Sequence, residues 1–387
     1  MNKIPGIQIL RAAAALTVTV AHSASEVGWT DYYLHRTTTF PGLGVGAVGV
    51  DLFFVISGFV MVYSSEPYFG SGRGAAKFFV RRLIRIVPLY WLATGAVLLW
   101  WRHVGTSFHQ EDYSLANLFA SLLFVAFPRP SGANSNPILG QGWTLNYEMF
   151  FYLVFAATLF FQRRKAVALA SSILLVVAAL RLFGDLPPFL MFYTRSIVLE
   201  FIFGMLLGLA CREGYAMPRF AGWPLIIVSI AFVLFVDAMG INADGSVYRW
   251  LLWGLPAAVV VAGTMALESD SPLGAFGTCL LFLGEASYSI YLFHGMFLSL
   301  PRSEFLNAAL WVSNWPWLYS ASLVTFAVGC SCLIHLAFEK PVTRWLQKTI
   351  MPNGSLGSQL RIAARPMPGE ADVVEPQVTE GEIKAVS

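Results

Sequence analysis

Val45-Gly-Ala-Val-Gly-Val-Asp-Leu-Phe-Phe-Val-Ile-Ser-Gly-Phe-Val-Met-Val-Tyr-Ser64 decides the fold: it is a run of twenty residues with one acidic side chain and no basic one. As a helix it is about 30 Å long, the thickness of a bilayer's hydrocarbon core. Working outward, nine similar runs lie near Ile4–Ser23, Ile84–Trp101, Trp143–Phe161, Ala166–Phe183, Ser196–Cys211, Trp223–Met239, Leu251–Leu267, Cys279–Leu298 and Trp315–Phe338. Leu115–Phe127, at 13 residues, is short for a crossing. Composition agrees with this reading. Hydrophobic residues make up 57% of the 387 and charged ones 12%, against about 45–50% and about 25% in soluble domains. One soluble core cannot hide that much apolar surface, so the expected fold is all-α, a polytopic membrane helix bundle of about ten spans. A secreted disulfide scaffold, a nucleic-acid-binding domain and a disordered chain are excluded. Cys211, Cys279, Cys330 and Cys332 have neither metal-ligand spacing nor a redox pair, and no metal is expected.

Charge gives the orientation. If the N-terminus is cytoplasmic and Leu115–Phe127 does not cross, the cytoplasmic loops hold Arg73, Lys77, Arg81, Arg82, Arg85, Arg163–Lys165, Arg212, Arg219, Lys340, Arg344 and Lys348. The outer loops then keep single cations such as Arg36, Arg102, Arg129, Arg249 and Arg302. This satisfies the positive-inside rule and places both termini in the cytoplasm. A cleaved signal peptide is an alternative for the first run, with Lys3 and Arg11 as its charged region. The transmembrane domain is expected over residues 1–348. Residues 349–387, rich in Pro, Gly, Asp and Glu, read as a disordered cytoplasmic tail.

An ionisable side chain at membrane depth costs roughly 2.5–3.5 kcal/mol, which makes each one a functional candidate. Arg11 and His22 share the first span, about 16 Å apart and on nearly one face. A snorkelling Arg with an interfacial His is the bland alternative. Glu148 lies five residues into the fourth span, with Tyr152 one turn on. It is expected at the depth of His22, where it would orient that imidazole, or else pair with Arg195 as a structural bridge. Asp51 and Ser57 sit in the second span, and His294 lies toward the outer end of the ninth. His335 reads as structural. Arg82 and Arg85 share a face of the third span and suit phosphate oxygens, although lipid headgroups attract the same cluster.

In order, these pieces resemble the membrane-bound acyltransferase 3 family over about 340 residues, Ile7 to Trp345. The fragments are Gly6-Ile-Gln-Ile-Leu-Arg-Ala with His22, Gly49-Val-Asp-Leu-Phe-Phe-Val-Ile-Ser-Gly-Phe59, and Arg82-x-x-Arg85 before Pro88-Leu-Tyr-Trp91. Trp143-Thr-Leu-x-x-Glu148-x-x-x-Tyr152, Ser287-Tyr-Ser-Ile-Tyr-Leu-Phe-His294 and Glu339-Lys-Pro341 follow. Thr144 stands where Ser is commoner and keeps the hydroxyl. The wording is most similar to the branch that O-acetylates bacterial exopolysaccharides.

The resemblance implies an inner-membrane enzyme whose donor is acyl-CoA, chiefly acetyl-CoA. Arg82 and Arg85 would meet its phosphates, Arg11 would hold or polarise the donor, and His22 would be general base or transient acyl carrier. Glu148 would orient His22 or hold the acceptor, with Asp51, Ser57, Arg195, His294 and Tyr152 in binding or supporting roles. The acceptor implied is a polysaccharide or its lipid-linked precursor, approaching from the outer side. Trp29, Tyr32, Tyr33, Trp143 and Tyr147 either stack on its sugars or form an interfacial belt, the belt being the expectation for most. A saccharide transporter or flippase is the competing class. Within the acyltransferases, O-antigen, a nodulation oligosaccharide, a peptidoglycan-type glycan and a macrolide are competing acceptors.

Overall fold

In lipid, every backbone N–H and C=O must find a partner inside its own segment, and a run with few charges and few breakers meets that demand as a helix. A computed structural model describes residues 4–33, 44–104, 114–130, 135–184, 186–241, 243–244, 246–268, 273–304 and 315–351, and among these there is no strand. The sequential helices are α1 (Pro5–Tyr33), α2 (Val48–Ser64), α3 (Gly72–Val104), α4 (Leu115–Leu122), α5 (Trp143–Thr158), α6 (Arg163–Ala179) and α7 (Pro188–Tyr193). They continue as α8 (Val198–Arg212), α9 (Arg219–Ala238), α10 (Leu255–Ala266), α11 (Ala275–Glu304), α12 (Pro316–Ile334) and α13 (Lys340–Ile350).

Eight helical stretches are long and apolar enough to cross a membrane, and Trp250–Ala266 is a shorter apolar one. With α5, of 16 residues, these match the ten runs read from the sequence. The protein is a multi-pass all-α bundle. The eleventh run yields an 8-residue helix, α4, opened by a capping box between Ser114 and Asn117. At about 12 Å it is too short to cross, and the chain leaves it through Phe124, whose φ of 59° is left-handed. Of the expected tail, 349–387, residues 352–387 lie outside the described residues, while Thr349 and Ile350 still belong to α13.

Two seams organise the centre. Along α2 and α8, a Cβ on Gly58 would fall on the Phe201 carbonyl, and one on Gly204 on the Val55 carbonyl. The two backbones therefore touch, the close approach that small residues permit between membrane helices. Along α1 and α11, Gly284 meets the Gln8 carbonyl in the same way. Aromatic rings fill the layer beside the first seam: Phe201 packs 4.3 Å from Phe151 and 4.7 Å from Phe54, centroid to centroid. Outward faces carry large apolar residues such as Phe220, Trp223, Phe235 and Phe276, all exposed, as suits contact with lipid.

Two π-helical turns interrupt the regular ladder, Trp250–Gly254 before α10 and His335–Glu339 between α12 and α13. Such turns redirect side chains and recur at functional sites. In α13, Lys340, Arg344 and Lys348 recur every fourth residue opposite Val342 and Leu346, the pattern of a helix lying at a membrane surface. The four cysteines are all unpaired thiols.

Candidate active site

Five helices, α1, α2, α3, α5 and α11, enclose a cavity of about 100 Å³. Arg11, Ser57, Arg82, Arg85, Glu148 and Tyr152 all line it, which brings six of the sequence candidates to one place. The Arg82 guanidinium lies 5.3 Å from the Phe78 ring centroid and 5.7 Å from that of Tyr152, and donates to Ser64 Oγ at 3.1 Å. Arg11 Nη1 donates to Gln8 Oε1 at 3.4 Å. Among the described residues, no carboxylate lies within ion-pair distance of Arg11, Arg82 or Arg85. Arg81, beside them in sequence, turns instead to the face of Tyr68, 5.7 Å from its centroid.

Glu148 Oε1 accepts from Ser57 Oγ at 3.3 Å and from the Tyr152 hydroxyl. It therefore belongs with the arginines and not with His22 or Arg195, the two neighbours its depth suggested. Glu339 supplies a second carboxylate near Arg11. It accepts from Ser289 Oγ at 2.6 Å and from His335 Nδ1 at 2.7 Å, a contact that the π-turn between α12 and α13 creates. Three cations and one carboxylate, Glu148, thus line the open space, with Glu339 near Arg11 as a second carboxylate outside the lining. Forked, permanently charged guanidiniums in that balance suit an anionic group with several oxygens.

The C-terminal end of α1 is different. His22 does not line this cavity but a second one of about 600 Å³, with Ser25, Asp237, Asp244 and Trp253. Its ring meets that of His294 from α11, centroids 4.9 Å apart. Tyr291, one turn back on α11, reaches the inner cavity and accepts from Thr144 Oγ1 at 3.0 Å. The hydroxyl kept by Thr144 is therefore in use.

Asp51 faces away from both spaces. Fully buried, it receives both forks of Arg249, Nε to Oδ1 at 2.9 Å and Nη2 to Oδ2 at 2.8 Å. Arg249 also binds Asp244 and lies over the Trp253 ring at 4.8 Å, with the buried Glu200 alongside. Sequence reasoning placed Arg249 among scattered loop cations and passed over Glu200. An ionisable residue inside the Ser196–Cys211 run was the available signal for Glu200. Arg195 lines a third cavity, of about 200 Å³, with Arg181, Ser246 and Arg249.

Of the aromatics, Tyr147 is fully buried and donates to the Phe192 carbonyl, while Trp143 packs on Phe54. Tyr147 is thus a core residue, whereas Trp143 is half-buried and lines the cavity of Arg195. Trp29 and Tyr32 are exposed and touch each other; the side chain of Tyr33 lies outside the described residues. Among the described residues no group of His, Cys, Asp and Glu is arranged to hold a metal.

A polytopic bundle with an arginine-lined cavity on one side and a paired imidazole on the other is the frame against which similarity can be weighed. Residues 4–335 match the family model described as an acyltransferase domain, and the chain belongs to the acyltransferase 3 family. It is an acyltransferase. The chain is 34% identical over 301 residues to the exopolysaccharide production protein ExoZ of Rhizobium meliloti, covering 78% of this chain and 90% of that one. It is 24% identical to the acyltransferase MdmB of Streptomyces mycarofaciens, covering 89% and 92%. It is 25% identical to YrhL of Bacillus subtilis, named provisionally as a peptidoglycan O-acetyltransferase, over 80% of this chain and 51% of that one. No solved structure matches.

Proposed function

We propose that this protein is an inner-membrane O-acetyltransferase that moves an acetyl group from acetyl-CoA to a hydroxyl of an exopolysaccharide or its lipid-linked precursor. The observation that carries the reading is the division of labour along α1. Arg11 stands at a cavity with Arg82 and Arg85, while His22, on the same helix, opens to a separate outer cavity.

In this reading the arginine side is cytoplasmic and both termini lie there, as the distribution of Lys and Arg supports. The donor's phosphates meet Arg82 and Arg85, whose guanidiniums have no carboxylate within ion-pair distance among the described residues. Arg11 polarises the donor carbonyl, held in register by Glu148 and Glu339. A cavity of about 100 Å³ admits an acetyl-sized group, so the thioester arm reaches His22 only if Tyr291 gives way. His22 is the general base toward the acceptor hydroxyl. Its Nδ1 donates to the Val18 carbonyl at 2.9 Å, which leaves Nε2 as the lone pair. The acceptor occupies the outer cavity, where Asp237 and Ser25 offer polar partners to sugar hydroxyls.

The test is the O-acetyl content per sugar repeat of the host's surface polysaccharide, measured by NMR in a deletion strain carrying the intact gene or His22→Ala. Loss of acetyl at unchanged polymer yield, restored only by the intact gene, is the expected result. A fall in polymer yield at constant acetyl per repeat would replace the enzyme reading with transport of the saccharide.

A further inference from the structure

Two imidazoles meet at the outer end of the bundle, and the transfer reading uses one of them. His22 and His294 sit with ring planes at 67° and centroids 4.9 Å apart, an edge-to-face arrangement. Both rings are anchored through the same atom. His22 Nδ1 lies 2.9 Å from the Val18 carbonyl; His294 Nδ1 lies 2.7 Å from that of Tyr291 and 3.2 Å from that of Ile290. A carbonyl only accepts, so each ring carries its proton on Nδ1 and a lone pair on Nε2.

For His22 that is the tautomer a base requires. For His294 it is costly: the residue is fully buried, and its Nε2 has no hydrogen-bond partner. A buried acceptor without a partner calls for a reason beyond filling space. The position makes sense if the neighbour becomes a cation, because a neutral, electron-rich ring in edge-to-face contact favours a charged partner over a neutral one.

We infer that His294 is a positioning residue for His22: it fixes the plane of the His22 ring and stabilises the imidazolium that forms during transfer. The inference rests on the transfer reading above. In that step His22 Nε2 takes the proton of the acceptor hydroxyl as the new C–O bond forms. The thioester C–S bond breaks, and the departing thiolate regains that proton from His22. The products are an ester and a free thiol, and His294 makes and breaks no bond. Its seat is shared with the donor side, since the Tyr291 ring lies 5.9 Å from it and the Tyr291 hydroxyl reaches the inner cavity.

The experiment uses the full chain in lipid nanodiscs, with acetyl-CoA and de-O-acetylated polysaccharide from the deletion strain, and reads free thiol release. His294→Phe keeps the ring and removes the lone pair; it is expected to lower kcat at least about tenfold while KM for acetyl-CoA stays near wild type. His294→Gln, which retains an acceptor oxygen, is expected to keep more of the rate, and combining His22→Ala with His294→Phe to be no slower than His22→Ala alone. Should His294→Phe fail to give monodisperse protein, His294→Leu takes its place. A kcat near wild type in the variant without the lone pair, or a further loss in the double variant, overturns the pairing. If His22→Ala itself retains its rate, the transfer reading falls first; if His22→Ala is inactive and His294→Phe is unimpaired, only the pairing falls.

Discussion

Two ionic clusters are buried in this bundle, and they are built in opposite ways. Around Asp51, the Arg249 guanidinium spends its forks on carboxylates, bidentate on the buried Asp51 and again on the exposed Asp244. Around Arg82, the guanidiniums stand about a cavity, supported by a serine hydroxyl, a glutamine amide oxygen and ring faces. In the first cluster the cation is matched by carboxylates and clasps α2 to the π-turn before α10. The second keeps its charge in hand for something that enters. A buried pair with its partners satisfied says little about activity, whereas buried cations bordering an open space ask for an anion.

The contrast breaks most sharply at Asp51. Asp51→Ala leaves Arg249 buried beside an empty seat, a loss of about 3–5 kcal/mol, and thermal unfolding in detergent is expected to shift down strongly whether or not donor is present. Adding Arg249→Met should recover part of that loss. Arg82→Ala is expected to do the reverse. Removing a charged hydrogen-bond donor costs about 1.5–3 kcal/mol, which raises KM for acetyl-CoA roughly tenfold to a hundredfold while the melting temperature hardly moves. If Arg82→Ala unfolds the protein and leaves KM unchanged, the two clusters are of one kind. Ser57→Ala removes the 3.3 Å bond to Glu148; at about 1 kcal/mol, steady-state assays should show a loss in kcat/KM of a few-fold. Smallest of all is removal of residues 352–387, expected to leave activity within about twofold; a larger drop would assign the terminal segment a role beyond solvation.

The contrast also explains what could be read from the chain. Hydrophobic runs reveal spans because lipid imposes one demand on every residue, and the ten runs became helices for that reason. Arg11 and Glu148 were legible because charge at membrane depth needs a cause, and Arg82 and Arg85 because their spacing puts two guanidiniums on one helix face. Depth alone does not give azimuth, however. Glu148 was matched with His22 or Arg195 by height, while the turn of α5 aims it at Ser57. Arg249 was illegible, because its partner lies 198 residues away and nothing local separates a buried clasp from a loop cation. Similarly, His22 and His294 were each noticed, but their contact depends on the α1–α11 seam at Gly284, a matter of packing.

That seam has an evolutionary consequence. Between Arg11 and His22, α1 works as a ruler. Apolar residues can be exchanged along it with little effect on insertion, yet one added residue would advance His22 by about 1.5 Å and swing it about 100° around the axis. The imidazole would leave His294 and the outer cavity while Arg11 stayed in place. The segment is thus permissive in spelling and strict in length, so insertions and deletions there should be rejected far more often than substitutions.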